Sequence, residues 1–285
     1  MDRISELSDF TIHHIMSYLS AKEIMISSDR LKRLSISSCI KLKEIEIDTP
    51  YLLSLHYRNH PILTSKVNVP RLWRLHFINA ADELGNKVDP DVQWFLNMKQ
   101  FLGASNRIEL LSINVKSKRD SFNLEEFRNC LSSLPCEVEK LWLLLDAPPS
   151  SFAALLDGLL GIGYPREFSL IIKHEVHHNF VEWLYKEMMN RDDNCCNSRN
   201  IKCWRHYLKD FKIKGFHFLP SFDSLSFMTL DLDAVMDLLP KLPNGILQCR
   251  MYWCFPESLE LMRRFVTAEW LDSQIPLLLK MNFSL

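Results

Sequence analysis

The chain reads LKRLSI at residues 31–36, LLSLHY at 52–57 and LWRLHF at 72–77, with apolar residues at the first, fourth and sixth positions each time. The same spacing recurs at Leu42/Ile45/Ile47, Ile108/Leu111/Ile113, Val138/Leu141/Leu143, Leu208/Phe211/Ile213 and Leu225/Met228/Leu230. In a short strand the last two apolar positions point to the same side, and the first packs at the preceding turn. Stacked copies therefore predict a parallel sheet in which neighbouring units cover one another's apolar face.

The first of these units extends into a longer repeat pattern. From Leu31 it continues to Cys39, which gives the L-x-x-L-x-L-x-x-C pattern of a leucine-rich repeat, although the next leucine, Leu42, comes one place late. Later anchors, at Leu111, Leu141 and Ile171, are about 30 residues apart, the length of a strand plus a crossover helix. Before residue 80 the repeats are shorter, so helices on the convex side of these repeats are not expected. The predicted fold class is an α/β leucine-rich-repeat solenoid with irregular β-α repeats and a parallel sheet.

Helix signals lie between the later strand units. Asp89-Pro90 offers an N-cap followed by proline at the first helical position, and Asn123 with Glu126 resembles a capping box. Further helices are expected at Ser151–Leu160, Asn179–Met189, Asp233–Leu239 and Glu257–Leu271. The glycines at 158, 161 and 163 are interpreted as the end of the helix from Ser151, and the polar stretch from Met189 to Asn200 as an exposed loop.

Composition limits the classes of function. The chain has 285 residues, 47% of them hydrophobic, and its 34 basic residues nearly cancel its 35 acidic ones. A strongly one-signed face for nucleic acid or an anionic membrane is therefore disfavoured. The start lacks the pattern of a secretory signal, and no apolar stretch has membrane-spanning length. We expect a soluble protein of the cytoplasm, the nucleus or both, in which the eight cysteines are free thiols.

The N-terminus carries a separate helical pattern. Ser8 can cap a helix from Asp9 to Leu19, and Ser20 with Glu23 predicts a second short helix to about Ser27. Residues 2–19, DRISELSDFTIHHIMSYL, resemble the opening of the F-box in plant F-box/leucine-rich-repeat proteins, which usually reads D-R-I-S-x-L-P-D-x-I-I-x-x-I-L-S-x-L. Residues 31–57 are similar to the first repeats of that family, and residues 203–210, CWRHYLKD, to a segment near its C-terminal end.

The resemblance implies a receptor in ubiquitin conjugation. In that family the F-box binds a Skp-type adaptor on a cullin-based ubiquitin ligase, and the repeats select the protein to be ubiquitinated. It implies an F-box-like segment at residues 1–28, a repeat domain at 29–285, and adaptor-binding residues on the first helix: Leu7, Ile12, Ile15, Met16 and Leu19. No catalytic, cofactor-binding or metal-binding residue is implied.

The sequence departs from the family pattern in two ways. Ser8 replaces the usual proline, and the basic, Trp-rich segment that should follow Glu23 is missing, so the F-box is shortened. Two interpretations stay open: the helix keeps part of the adaptor contact, or it covers the exposed edge of the first repeat, as the end of a solenoid requires. In the second case the chain is an interaction module or a decoy without ligase attachment.

One motif predicts a different class of protein. Residues 174–178, HEVHH, satisfy the H-E-x-x-H pattern, in which His174 and His178 on a helix share a zinc ion and Glu175 activates the bound water. Because residues 168–172 read as a strand, we interpret the motif as the turn before a helix that begins near Asn179, and a zinc hydrolase as the minor alternative. A second metal set, Cys195, Cys196, Cys203 and His206, has adjacent cysteines that suit one tetrahedral ion poorly.

Aromatic residues on the strand units offer candidates for a recognition surface. Alternate strand residues share a face, so Arg74 with His76, or Trp142 with Leu144, could line it. The other interpretation places the tryptophans in the core. We predict the core for Trp204 and leave Trp73, Trp142 and Trp253 open.

Overall fold

A computed structural model describes residues 2–3, 23–37, 44–58, 64–72, 74–79, 90–105, 108–116, 124–130, 135–172, 175–189, 203–218, 227–228 and 245–254. The strands in this part are β1 Asp2–Arg3, β2 Glu23–Ser27, β3 Arg33–Ser37, β4 Glu44–Asp48, β5 Ser54–Arg58, β6 Thr64–Asn68, β7 Arg74–Asn79, β8 Ile108–Lys116, β9 Cys136–Asp146, β10 Gly163–Ile172, β11 Leu208–Phe218, β12 Phe227–Met228 and β13 Gly245–Trp253. The helices are α1 Val92–Gly103, α2 Leu124–Cys130, α3 Phe152–Ile162 and α4 Glu175–Met189.

The first strands alternate between two sheets. The smaller sheet has the order β1-β2-β4-β6, and the larger has the order β12-β11-β13-β10-β9-β8-β7-β5-β3. In the larger sheet Arg33 stands opposite Ser54, and Ser54 opposite Arg74, so these positions lie 21 and then 20 residues apart. Each stretch of about 20 residues thus adds one strand to each sheet, and all described pairs here are parallel.

Apolar positions form two columns across the larger sheet, and those on β3 to β9 were predicted. On β10 the predicted anchor Ile171 is wrong, because Phe168 stands opposite Leu141 and Ile171 lies at a partly exposed position. In register from β3 to β10 run Leu34, Leu55, Leu75, Leu111, Leu141 and Phe168, and beside them Ile36, Tyr57, Phe77, Ile113, Leu143 and Leu170. Every one of these side chains is at most 2% exposed. The spacing therefore correctly predicted a mixed α/β chain with parallel strand pairing and one buried side of the sheet.

One predicted unit lies in the other sheet. Ile45 and Ile47 are on β4, which pairs with β2 and β6 and not with β3 or β5. Two adjacent parallel strands need a connection that returns the chain to the starting edge. Between β3 and β5 that return contains β4 itself, so Ile45 and Ile47 lie in the smaller sheet, while the corresponding residues of β3 and β5 lie in the larger one.

The parallel order ends at β10. The next strand in space is β13, which is antiparallel to both β10 and β11. The units predicted at Leu208 and Leu225 fall on β11 and β12, which pair antiparallel, so they do not continue the parallel repeats. β13 was not predicted from the sequence, although Ile246, Cys249 and Met251 have the same spacing as the other units.

Helices replace strands in the second layer after β7. Asp91 caps α1, since its carboxylate accepts a hydrogen bond from the Trp94 N–H at 2.7 Å, so the predicted cap at Asp89 is wrong. Ser105 at the end of α1 donates its hydroxyl to the Val69 carbonyl at 3.0 Å, which joins α1 to the turn after β6. The prediction of a helix after Ser151 is confirmed by α3, while α4 begins at Glu175, four residues before the predicted start.

One further prediction is wrong, and several others fall on residues outside the described part of the chain. The short helix predicted to reach Ser27 is wrong, because residues 23–27 form β2 with Ile24 and Ile26 buried at alternate positions. Outside the described residues lie the predicted helices at 9–19, 233–239 and 257–271, the predicted loop at 190–200, and Trp73.

Gly158 lies in the interior of α3, whereas Gly161 lies in its last turn and Gly163 is its C-cap, so the predicted helix end is confirmed for these last two glycines and wrong for Gly158. A Cβ atom on Gly158 would stand 2.6 Å from the ring of the fully buried Phe95 on α1. We expect Gly158→Ala to lower the free energy of unfolding by about 1 kcal/mol, since overpacking costs about 1–3 kcal/mol and alanine's helix propensity returns roughly 1 kcal/mol. Urea titration measures the change.

Gly103 provides the matched control, because a Cβ atom there meets nothing within 4 Å. Gly103→Ala should be neutral or stabilising. Adding Phe95→Leu to Gly158→Ala should cost less than Phe95→Leu costs in the wild-type chain. Equal stability of the two glycine variants would contradict close packing between α1 and α3.

Candidate recognition surface

The larger sheet has one face that the described helices leave uncovered. Its inward side chains share one apolar cluster with β2, β4 and residues of α1, α2, α3 and α4, so the described second layer packs on that side. Side chains at the alternate positions form what we call the open face. Two large hydrophobic residues on it are exposed: Trp142, 37%, and Tyr252, 38%.

A central row crosses the open face in register. It contains Ser35, His56, His76, Ser112, Trp142, Ser169 and Gln248 on successive strands. The residues in register with Trp142 are therefore two serines, Ser112 on β8 and Ser169 on β10. Trp142 lies on the open face and not in the core, which was the question that the sequence left open. An exposed indole between small residues is typical of an anchor for a binding partner.

The other described tryptophans are held by the fold. Trp253 donates its indole N–H to the Pro165 carbonyl at 2.6 Å and packs edge-on against Tyr164. Trp204 is 3% exposed, which confirms its predicted place in the core. Trp253, whose place the sequence left open, is therefore partly buried, and its indole N–H is already hydrogen-bonded within the chain.

Two histidines of the central row stack on each other. The rings of His56 and His76 lie 4.2 Å apart between centroids and 11° from parallel. Burial, as the largest cause, and the charges of His56 and Arg74 together lower the pKa of His76 from 6.5 to about 4. At neutral pH His76 is therefore uncharged and offers one donor and one acceptor nitrogen.

This pKa predicts a pH dependence of stability. The unfolded chain takes up a proton at His76 near pH 6.5, whereas the folded chain takes it up only near pH 4. The stability that neutral His76 contributes to the folded chain is fully present above pH 6.5 and is lost as the pH falls from 6.5 to 4. In urea titrations at pH 7 and pH 4.5, His76→Gln should lose less stability between the two pH values than wild type. An equal loss in both proteins would contradict the lowered pKa.

A cationic row lies at one side of the central row. Lys140, Glu167, Arg250 and Lys212 stand in register on β9, β10, β13 and β11. An irregularity between Ile213 and Gly215 interrupts the register of β11, and the ammonium group of Lys214 reaches Glu167 at 2.7 Å. The hydrogen bond from Lys214 lowers the pKa of Glu167 against the opposing effect of burial, and Lys214, Lys140 and Arg250 lower it by their charge.

An aliphatic row lies on the other side. Ile78, Asn114 and Leu144 stand in register on β7, β8 and β9, and Ile171 stands opposite Ile246 on β10 and β13. The four aliphatic side chains are all partly exposed. The side-chain oxygen of Asn114 is buried and has no hydrogen-bond partner among the described residues. Leu144, which the sequence paired with Trp142 as a candidate, therefore belongs to a half-exposed apolar strip.

A buried ionic cluster holds residues 203–210 against the helices. Arg205 bonds Asp157 on α3 at 2.7 Å and Glu187 on α4 through two nitrogens, and its guanidinium lies 4.5 Å from the Trp204 ring centroid. Trp204 donates its indole N–H to Asp157 at 2.5 Å. Burial opposes the charge of Arg205, but the two carboxylates outweigh it and raise the pKa of Arg205 above its usual value. The ionic contacts of Arg205 with Asp157 and Glu187 were not predicted from the sequence.

The enzyme-like motifs are not assembled by the described residues. The backbone of Glu175 and His178 lies in the first turn of α4, and not in a turn before the helix as predicted. The His174 to His178 side chains lie outside the described part, as do Cys195 and Cys196. Among the side chains that are described, no group of three or more His, Cys, Asp and Glu residues is placed to hold a metal ion.

The predicted adaptor-binding residues Leu7, Ile12, Ile15, Met16 and Leu19 lie outside the described residues. None of the described helices combines the length and apolar character needed to cross a bilayer. Comparison of the chain with protein-family models, with curated proteins and with solved structures finds no match.

Proposed function

We propose that the chain is a leucine-rich-repeat receptor that binds target proteins on its open face and serves as the substrate-recognition subunit of a Skp–cullin–F-box ubiquitin ligase. The main support is the in-register stack of parallel strands with two buried columns on one side and Trp142 exposed on the other. In this proposal the chain catalyses nothing. It brings the target close to the partner enzyme, which transfers ubiquitin.

The turns between strands support a repeat solenoid. Ser28 N–H donates to the Asp48 carbonyl at 3.1 Å, and Thr49 N–H to the Asn68 carbonyl at 3.0 Å, so equivalent turn residues of successive repeats are linked. Asn68 also donates its side-chain amide to the Asp48 carboxylate at 2.7 Å. Such ladders let each repeat contact its neighbours through the same bonds, which is the property of a quasi-one-dimensional stack.

Ligase attachment rests on the resemblance of residues 2–19 to the F-box opening. In this proposal Leu7, Ile12, Ile15, Met16 and Leu19 form the adaptor contact. A recognition protein without ligase attachment is the second candidate, and β2 favours it. Because Glu23–Ser27 is a strand of the smaller sheet, these residues cannot also supply the second helix of an F-box.

Co-purification of the full chain with a Skp-type adaptor tests the proposal. Two single variants separate the two activities. Ile12→Asp places a charge on the apolar stripe of the predicted helix and should abolish adaptor capture while leaving target capture intact. Trp142→Ala removes the exposed indole and should weaken target capture by tenfold or more, since anchor residues contribute about 2 kcal/mol or more. It should leave adaptor capture unchanged.

The outcomes distinguish the two candidates. Adaptor capture by wild type that is lost in Ile12→Asp supports the ligase subunit. Failure of wild type to capture the adaptor rejects ligase attachment and favours the second candidate. Target capture that is insensitive to Trp142→Ala would reject the open face as the recognition surface in both candidates.

A further inference from the structure

We propose that the open face binds an amphipathic helical segment of a partner protein that carries acidic residues along one side of its apolar stripe. This proposal deepens the proposed function and rests on it. The proposal is supported by the position of Trp142, which has the cationic row on one side and the aliphatic row on the other.

The cationic row carries more positive than negative charge. Lys140, Lys212, Lys214 and Arg250 surround one carboxylate in register, Glu167, with Asp210 at 3.4 Å from Lys212 as a second. Lys212 and Arg250 each lie 5.6 Å from the centre of the Tyr252 ring, which fixes their stems on the sheet. Since the whole chain has a net charge of −1, this excess is local and not a general property.

Two neighbouring acidic residues share one cation. At the start of β9, Arg166 bonds Glu137 at 2.5 Å and lies 3.9 Å from Glu139. Arg166 offsets part of their charge, so the cationic row keeps an excess of positive charge that attracts carboxylates of a partner.

The spacing of the rows matches the width of a helix. Lys140 and Leu144 on β9 are four residues apart, which is about 13 Å at about 3.3 Å per residue. A helix with its side chains is about 10–12 Å wide. With Trp142 between the rows, such a helix would place its apolar stripe on the indole and on Leu144, Ile171 and Ile246, and its acidic side toward Lys140 and Arg250.

The length of the surface sets the length of the partner segment. From β8 to β11 the sheet spans five neighbouring strands, or about 19 Å at about 4.8 Å per strand spacing. A helix of roughly 13 residues has that length at 1.5 Å per residue. A nucleic acid fits less well, because the cations form one short row beside an aliphatic one instead of a continuous track of phosphate contacts.

Selection from a phage-displayed library of random 16-residue peptides tests this inference with the full-length chain. The selected peptides should carry more Asp and Glu than Lys and Arg, with apolar residues at helical spacing. Affinity of a selected peptide should fall about tenfold or more in a Lys140→Glu/Arg250→Glu double variant, because like charges then face each other. Lys186→Glu is the control, since this exposed lysine lies on α4 in the second layer.

Each result has one meaning. Selected peptides that are neutral or basic but depend on Trp142 would overturn the acidic preference and leave the recognition surface standing. A library that yields no peptide dependent on the open face would overturn this inference, whereas the proposed function stands or falls by the adaptor and target capture described above. A fluorescein-labelled 20-nucleotide single strand that binds wild type more tightly than the selected peptides, and loses affinity in the double variant, would overturn it in favour of nucleic acid.

Discussion

Arg205→Met is expected to lower the free energy of unfolding by about 3–5 kcal/mol, because it leaves the carboxylate of Asp157 buried without its positive partner. The side chains of Arg205 and Asp157 are only 11% and 4% exposed, so water cannot replace the lost partner. The Trp204 indole stays bonded to Asp157, but a single neutral donor does not balance a buried charge. Urea or guanidinium titration of the full chain measures the loss.

Lys186→Met is the matched control. This lysine pairs with Glu182 one turn earlier on α4 at 2.6 Å, but both side chains are more than half exposed. Its removal should cost only about 0.3–0.5 kcal/mol. The double variant Arg205→Met/Asp157→Leu should be more stable than Arg205→Met alone, since the uncompensated charge is then gone. Similar losses for Arg205→Met and Lys186→Met would contradict a buried ionic cluster.

The sequence pointed to part of this cluster. Trp204 was predicted as core from its place beside a strand unit, and the structure buries it. Asp157 is the only charged residue in the helix FAALLDGLLGI, which is itself a signal that a buried partner exists. Its partner Arg205 is 48 residues away, and no local pattern connects the two positions. The pairing depends on tertiary packing and could not be predicted from either segment alone.

The repeat spacing predicted the columns but not the assignment of strands to sheets. Leu34 and Ile36 share the spacing of Ile45 and Ile47, yet the two pairs lie on different sheets. The spacing reports which residues of a strand face the core, and both sheets face the same core. Only the connection lengths distinguish them, because about 20 residues separate strands of one sheet and about 10 separate strands of opposite sheets.

The open face was predicted only in part. Alternation along β7 and β9 made His76 and Trp142 candidates for a surface, but for Trp142 the choice between surface and core stayed open, and the structure leaves its side chain 37% exposed. The cationic row was missed, because β13 inserts antiparallel between β10 and β11 and brings Arg250 between Glu167 and Lys212. That insertion is a long-range event, and the irregular register of β11 near Lys214 adds a local change that period-two alternation cannot anticipate.

The second large effect is expected at the centre of the buried columns. Leu111 stands between Leu75 and Leu141 and is 2% exposed. Leu111→Ala should lower the free energy of unfolding by about 2–5 kcal/mol, the lost transfer energy plus the cost of the cavity. Leu110→Ala is the control, since the preceding leucine lies on the open face and is partly exposed, and it should cost no more than about 1 kcal/mol.

Pairs of such variants test whether stability is carried by contacts between neighbouring repeats. Leu75→Ala and Leu111→Ala remove side chains that touch the same space, so their combined loss should differ from the sum by 0.5 kcal/mol or more, on the order expected for contacting residues. Leu34 and Leu141 lie four strand spacings apart, or about 19 Å, and their losses should add. Additivity in the near pair, or coupling in the distant pair, would contradict a stack in which each strand is covered chiefly by its immediate neighbours.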